Sequence, residues 1–230
     1  MAVRSVRRSL RPRPPVEPSL PACLDEATVF EHDLTDEASY EQLDFSNLDL
    51  SHRSADLVRL EACRFINTDL ADTVLDRMRL IDCLLKNGNL ANLRATGSTM
   101  LRVRLSALRL TGLQWIDGKL RDVTFEDCRA DLSSFRFTGF ADVVFNGCNL
   151  TGADFANADL SGTRFINCDL TNAQFSHAKA DGVRFSRCTL IGIGGVASLS
   201  GATIDDHDLI TLSYTLASAL GIHIDTGNDR

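Results

Sequence analysis

Cysteine and histidine are the residue types of this 230-residue chain best suited to metal binding or nucleophilic chemistry, with seven and five copies respectively. Metal sites use close pairs such as CxxC, and the sequence contains none. Six cysteines instead recur at multiples of five residues: Cys63, Cys83, Cys128, Cys148, Cys168 and Cys188. Cysteines stacked in a line form no tetrahedron, and their parallel directions disfavour disulfides. We therefore interpret them as buried free thiols that fill small slots of a core.

Other catalytic motifs are also missing from the sequence. There is no Ser-His-Asp order and no HExxH motif, and the five histidines are isolated: His32, His52, His177, His207 and His223. The segment GIGGV (192–196) resembles a phosphate loop only in its glycine content, since no Lys-Ser/Thr follows, so we interpret it as a turn. The sequence predicts a protein that is not an enzyme, with no catalytic residue, no cofactor-binding residue, no metal ligand and no cofactor.

The element that must position every side chain is a five-residue repeat. Each fifth residue from Phe45 to Leu190 is apolar: ten Phe, fourteen Leu, four Ala, one Met and one Trp. Residues with a period of five would not share one side of a helix or of a flat strand. The chain must therefore turn about once per five residues to keep them together. Two residues after each apolar position Asn, Asp and Gly dominate, as tight or left-handed turns require.

Columns at twenty-residue spacing, such as Val103, Val123 and Val143, indicate four pentapeptides per coil. The stretch CNLTGADFANADLSGTRFINCDLTNAQF (148–175) resembles the A-(D/N)-L-X-X repeat of the pentapeptide-repeat family. The resemblance implies an all-β fold, a right-handed quadrilateral β-helix, over residues 43–193. About 7.5 coils at about 4.8 Å each would make a rod of roughly 36 Å. The repeat is least regular over residues 74–122.

The two ends of the chain depart from the repeat. We predict a disordered basic Pro/Arg tail over residues 1–21 and an N-terminal cap over 22–42. Residues 194–230 are predicted to form a C-terminal helical cap and tail, with one apolar helix face: Leu209, Leu212, Leu216 and Leu220. The resemblance implies that this helix joins two copies into a homodimer, with a capped monomer as the alternative. The sequence shows no membrane span or signal peptide, and free cysteines point to the cytoplasm.

Charge is distributed in bands along the chain, whose net charge is −7. Residues 21–52 carry nine acids and no bases, 53–122 carry twelve bases and eight acids, and 123–230 carry seven bases and thirteen acids. The middle band, which we call the basic waist, includes Arg102, Arg104 and Arg109. Because the interior is apolar, recognition must depend on such outward residues.

Two functions follow from these observations. The first is an interaction scaffold that binds another protein through a β face, using the waist arginines or Ile66 and Ile166. The alternative, implied by the resemblance, is a DNA mimic that binds DNA gyrase or a related topoisomerase and protects it from quinolones or other poisons. Its acidic surface would comprise Asp154, Asp159, Asp169, Asp181, Asp205, Asp206 and Asp208. Direct nucleic-acid binding through the tail and waist is the least favoured hypothesis.

Overall fold

The computed structural model describes residues 13–222 and contains a long stack of short strands followed by one helix, α1 (Leu209–Ala219). The strands are β1 (Asp25–Glu26), β2 (Ser39–Glu41), β3 (Leu43–Asp44), β4 (Ser54–Asp56), β5 (Arg59–Glu61), β6 (Arg64–Ile66), β7 (Val74–Asp76), β8 (Arg79–Lys86), β9 (Thr99–Ser106), β10 (Lys119–Glu126), β11 (Gly139–Asn146), β12 (Arg164–Ile166), β13 (Arg184–Ser186) and β14 (Thr203–Ile204). Two 3-10 turns, Val196–Leu199 and Asp206–Asp208, precede the helix.

Strand pairing is parallel and repeats every twenty residues from β2 to β13, as the sequence columns predict. Lys119 pairs with Gly139, and Phe125 pairs with Phe145. The stack continues past the predicted limits at both ends, because β1 pairs with β3 and β14 pairs with β13. The solenoid therefore has about nine turns, more than the 7.5 coils that the repeat alone indicates. The predicted β-helix with a C-terminal helical cap is confirmed.

A left-handed residue at each corner turns the chain. Every fifth residue from Glu37 to Gly192 has a positive φ, between 51° and 76°. Most of these residues are Asn, Asp or Gly, which tolerate this conformation at low energy. Leu132 and Phe137 are exceptions, with φ of 58° and 59°. A left-handed conformation costs such bulky residues roughly 1–2 kcal/mol each.

The apolar lattice fills the interior with stacked side chains. One aromatic ladder runs through Phe125, Phe145, Phe165 and Phe185, with successive ring centroids 4.5, 5.2 and 5.1 Å apart. A second ladder, with centroids 5.3 Å apart, lies beside the first in edge-to-face contact: Phe135, Phe155 and Phe175. Parallel in-register coils require this stacking of like on like, because each residue lies above its counterpart twenty positions earlier.

The C-terminal helix closes the last coil. Leu212 is buried against the solenoid, and the Thr215 hydroxyl both donates to the Leu190 carbonyl and accepts from the Gly192 amide, each at 3.2 Å. These bonds satisfy backbone groups that the next coil would otherwise have paired. No helix within residues 13–222 is long and apolar enough to span a membrane.

The N-terminal segment does not follow the prediction of a disordered tail throughout its length. Residues 1–12 lie outside the described part of the chain, but residues 13–19 lie on the solenoid wall, with Arg13, Val16 and Ser19 bonded to aspartates of three different coils. We call residues 13–19 the strap. These aspartates lie in a single column, while Glu17 pairs with Arg104 and the Arg13 carbonyl accepts a bond from Arg164, so a proline-rich segment can bind there without forming regular structure.

Candidate interaction surface

The cysteines that could have formed a reactive site are part of the core. All six regularly spaced cysteines are buried free thiols, and their Sγ atoms donate weakly to backbone carbonyls, as Cys83 does to Leu60 at 3.4 Å. Burial raises the pKa of Cys83, which keeps this thiol protonated. Among the described residues, no group of three or more His, Cys, Asp or Glu could hold a metal ion.

The histidines and the GIGGV segment lie at corners, on the surface or in turns of the solenoid. His52 and His177 occupy left-handed corners, and His207 lies 2.7 Å from Asp206 on the surface. His223 falls outside the described residues. In GIGGV, Gly195 has φ of 71°, and a Cβ there would lie 2.3 Å from the backbone nitrogen of Ser176. The segment thus begins within the repeat, where Gly194 bridges Gln174, and Gly195 makes a close-packed turn into the 3-10 turn Val196–Leu199.

The predicted acidic surface is divided among several faces. Asp154, Asp159 and Asp169 form bridges in three different columns, so they lie on three different sides of the rod. Asp169 and Asp181 are exposed near the C-terminal end, Asp206 is exposed beside the helix, and Asp205 is half-buried. Asp208 does not lie on the surface at all: it is buried, and its carboxylate accepts the Cys188 amide at 3.0 Å.

Two of the three named waist arginines form ion pairs. Arg102 pairs with Asp82, and Arg104 contacts both Glu17 at 2.9 Å and Glu126 at 2.7 Å. Of the three waist arginines, Arg109 alone has no ion pair within residues 13–222. Ile66 and Ile166 are half-buried in strands and form no continuous apolar patch.

Two bulky apolar side chains protrude from neighbouring corners of one coil. Leu132 is 67% exposed and Phe137 is 53% exposed, and the Arg136 guanidinium lies 5.6 Å from the Phe137 ring centroid. We call Leu132 and Phe137 the corner pair. Both residues adopt the left-handed conformation, which is unfavourable for bulky side chains. Neither side chain is buried. Two strained and exposed apolar corners beside each other make this coil the candidate interaction surface.

The outer side of the C-terminal helix is also apolar. The residues exposed there are Leu209, Ile210, Tyr214, Leu216 and Leu220, and Ile222 follows the helix. Of the four predicted leucines, only Leu212 faces the solenoid. A helix that is apolar on both sides is typical of one buried between two bodies.

A comparison with protein families agrees with this architecture. Residues 58–137 and 138–194 match the model of the pentapeptide repeat region. The chain belongs to the pentapeptide-repeat family. A search of curated proteins finds no match.

Pentapeptide-repeat proteins are also among the solved structures that resemble this chain. Full-length QnrB1, a plasmid-mediated fluoroquinolone resistance protein, is 16% identical over 78% of this chain and 100% of its own, with a TM-score of 0.30. HetL from Nostoc sp. strain PCC 7120, involved in heterocyst differentiation regulation, is 16% identical over 69% of this chain and 89% of its own, with a TM-score of 0.30. The Agl-KA catalytic domain is 12% identical over 70% of this chain and 37% of its own, with a TM-score of 0.27. Similarity this low carries no information about partners.

Sequence reasoning missed the corner pair and the strap. The corner pair had a signal, because Leu132 and Phe137 stand where the repeat expects Asn, Asp or Gly. The strap had none, since its aspartate partners are between 63 and 129 residues away along the chain.

Proposed function

We propose that this pentapeptide-repeat protein is a non-enzymatic interaction scaffold that binds another protein through its outward corners and faces. The observation that carries the proposal is the corner pair. A solenoid interior filled by stacked Phe and Leu offers no space for a substrate, so recognition depends on the surface. Leu132 and Phe137 supply the exposed apolar anchors, with Arg136 beside them, that protein interfaces use at their centres.

The experiment is capture from an extract of the source organism with the full chain. Replacing the corner pair by asparagine, Leu132→Asn with Phe137→Asn, should abolish capture of a stoichiometric partner, because Asn keeps the left-handed corner and removes the apolar anchors. Leu57→Asn is the matched control, since Leu57 also has a left-handed φ of 61° and is exposed, four coils away. Capture that survives the double substitution, or that Leu57→Asn also removes, would contradict the proposal.

We further propose that two copies join through the outer side of α1, with exposed apolar residues facing each other across a two-fold axis. Six apolar side chains between Leu209 and Ile222 are exposed there, in a helix whose Leu212 and Thr215 dock on its own solenoid. Such a self-complementary patch is what an isologous dimer requires.

Binding of DNA gyrase or a related topoisomerase is the second candidate. The exposed Asp169, Asp181 and Asp206 near the apolar helix favour it, because a dimer would bring two acidic ends together. The total charge fits DNA poorly. Residues 21–230 carry thirty acids and nineteen bases, or −11, and thus −22 per dimer. About 86 Å of duplex, the length of two nine-turn rods, carries about 50 charges.

A supercoiling assay with purified gyrase decides this candidate. If the protein mimics DNA, micromolar full-length chain should inhibit supercoiling or reduce quinolone-dependent cleavage. The effect should fall when Asp169 and Asp181 are both replaced by Asn, whereas Leu57→Asn should leave it unchanged. A chain that neither inhibits gyrase nor protects it at these concentrations excludes gyrase and leaves the scaffold proposal standing.

A further inference from the structure

The strap crosses a straight column of four charged corner residues. Asp82, Arg102, Asp122 and Asp142 occupy the fourth position of β8, β9, β10 and β11, each one coil apart and each with a left-handed φ. We call these four residues the acidic column. The corner conformation turns their side chains outward, while the flanking residues of each strand stay paired with the neighbouring coils. The column is therefore held by the four longest strands of the solenoid.

Three strap residues bond to the column, and they are spaced three apart. The Arg13 guanidinium donates to Asp142 at 2.8 Å and to both Asp122 oxygens at 3.0 and 3.2 Å. The Val16 amide donates to Asp122 at 3.0 Å, and the Ser19 amide donates to Asp82 at 3.1 Å. The strap thus runs from the coil of Asp142 back to the coil of Asp82.

The interval from Val16 to Ser19 matches the dimensions of the two partners. Three residues of a polyproline-type extended chain advance about 9.3 Å. Two coils of the solenoid advance about 9.6 Å. Pro14, Pro15 and Pro18 fill three of the four positions between the bonded residues, where no amide is needed, and the fourth residue, Glu17, pairs with Arg104 through its side chain. The column therefore recognises an extended segment with Arg followed by free amides three and six residues later.

The bound strap covers part of the column. The side chains of Asp122 and Asp82 are only 6% and 12% exposed, whereas that of Arg13 is 55% exposed. Arg102 holds Asp82 through an Nε bond of 2.7 Å, and with the Ser19 amide it lowers the pKa of that carboxyl. With the strap in place, Asp122 and Asp82 are therefore covered, while the Arg13 side chain stays half-exposed at the surface.

We propose that the acidic column is a binding site for an extended, arginine-bearing segment of a partner protein, and that the strap occupies this site in cis until the partner displaces it. The strap shows the chemistry that the site accepts, and it is held on the column by only a few polar bonds from one half-exposed arginine and two backbone amides, which leaves it displaceable. This inference rests on the proposed scaffold function and names a class of partner for it. Because the strap is tethered, it competes as if present at roughly millimolar concentration.

The test measures binding of a labelled peptide with the sequence of residues 10–21 to the full chain by fluorescence anisotropy. Arg13→Glu in the protein should weaken the strap and tighten binding of the unaltered peptide by about tenfold or more. Adding Asp122→Asn, which removes the carboxylate that Arg13 and Val16 share, should abolish that gain. A permuted peptide of the same composition should bind weakly to every variant.

Arg109→Glu is the matched control, because it makes the same charge change on an exposed residue outside the column, and it should bind the peptide as the unaltered chain does. Asp142→Asn repeats the carboxylate test at a less buried position, and melting curves confirm that each variant is folded. Equal peptide affinity for Arg13→Glu and the unaltered chain, or full binding after Asp122→Asn, would overturn the inference. Such a failure leaves the corner-pair capture experiment, and with it the proposed function, unaffected.

Discussion

Phe145→Ala is expected to destabilise the protein by about 3–5 kcal/mol, the largest effect of any single substitution considered. Phe145 is fully buried and stacks between Phe125 and Phe165, with ring centroids 4.5 and 5.2 Å away. Its edge also meets Phe135 and Phe155 of the second ladder. Truncation would remove these contacts and leave a cavity, and the hydrogen-bonded coils above and below hold the backbone against collapse.

Chemical unfolding followed by circular dichroism measures this loss. Phe137→Ala is the matched control, because its ring is exposed at a corner of the preceding coil, and its effect should stay within about 0.5 kcal/mol. Since each coil contacts only its neighbours, a weakened central coil should also broaden the transition as the two halves lose cooperativity. Equal destabilisation by the two substitutions would mean that the ladder is not what stabilises the solenoid.

Ile210→Asp with Leu220→Asp is expected to convert a dimer into a monomer. These side chains are 72% and 74% exposed on the outer side of α1, so they add little to the fold of one chain. At the centre of a two-fold interface each change would occur twice and bury four uncompensated carboxylates. If the loss of each anchor residue costs about 2 kcal/mol or more of binding free energy, the dissociation constant of the dimer should rise by more than about a hundredfold.

Sedimentation equilibrium of the full chain gives the oligomeric state directly. The unaltered protein should sediment as a dimer and the double variant as a monomer with an unchanged circular dichroism spectrum. Leu132→Asp, the same type of change on the solenoid wall, should remain dimeric. A monomeric unaltered protein, or a double variant that still dimerises, would contradict the proposed interface and favour the capped monomer.

The regular part of the fold could be predicted from the sequence because the same constraint repeats thirty times. An apolar residue that is inward in one coil must be inward in the next, and a left-handed corner must follow two residues later. Phe145 and Asn167 illustrate the two positions, one fully buried and the other with φ of 52°. Even the cysteines were correctly interpreted on this basis, since their spacing assigns them to inward columns.

The irregular features could not be predicted in the same way. Whether an aspartate near the chain end is exposed depends on how the last helix docks, so Asp208 was placed on the surface although it caps the Cys188 amide. Composition predicts disorder for a segment such as the strap, because it has too little apolar surface to fold alone. Its order comes from Asp82, Asp122 and Asp142, which the repeat brings into line only in three dimensions.

The thermal unfolding midpoint of the double corner-pair variant, Leu132→Asn with Phe137→Asn, tests most directly whether these residues serve binding rather than folding. Relief of two strained corners should stabilise the chain by about 1 kcal/mol each, and thus raise the midpoint by several degrees. The same variant should fail to capture the partner. A lower midpoint would show that Leu132 and Phe137 are packing residues that the solenoid needs, and it would contradict the proposed interaction surface.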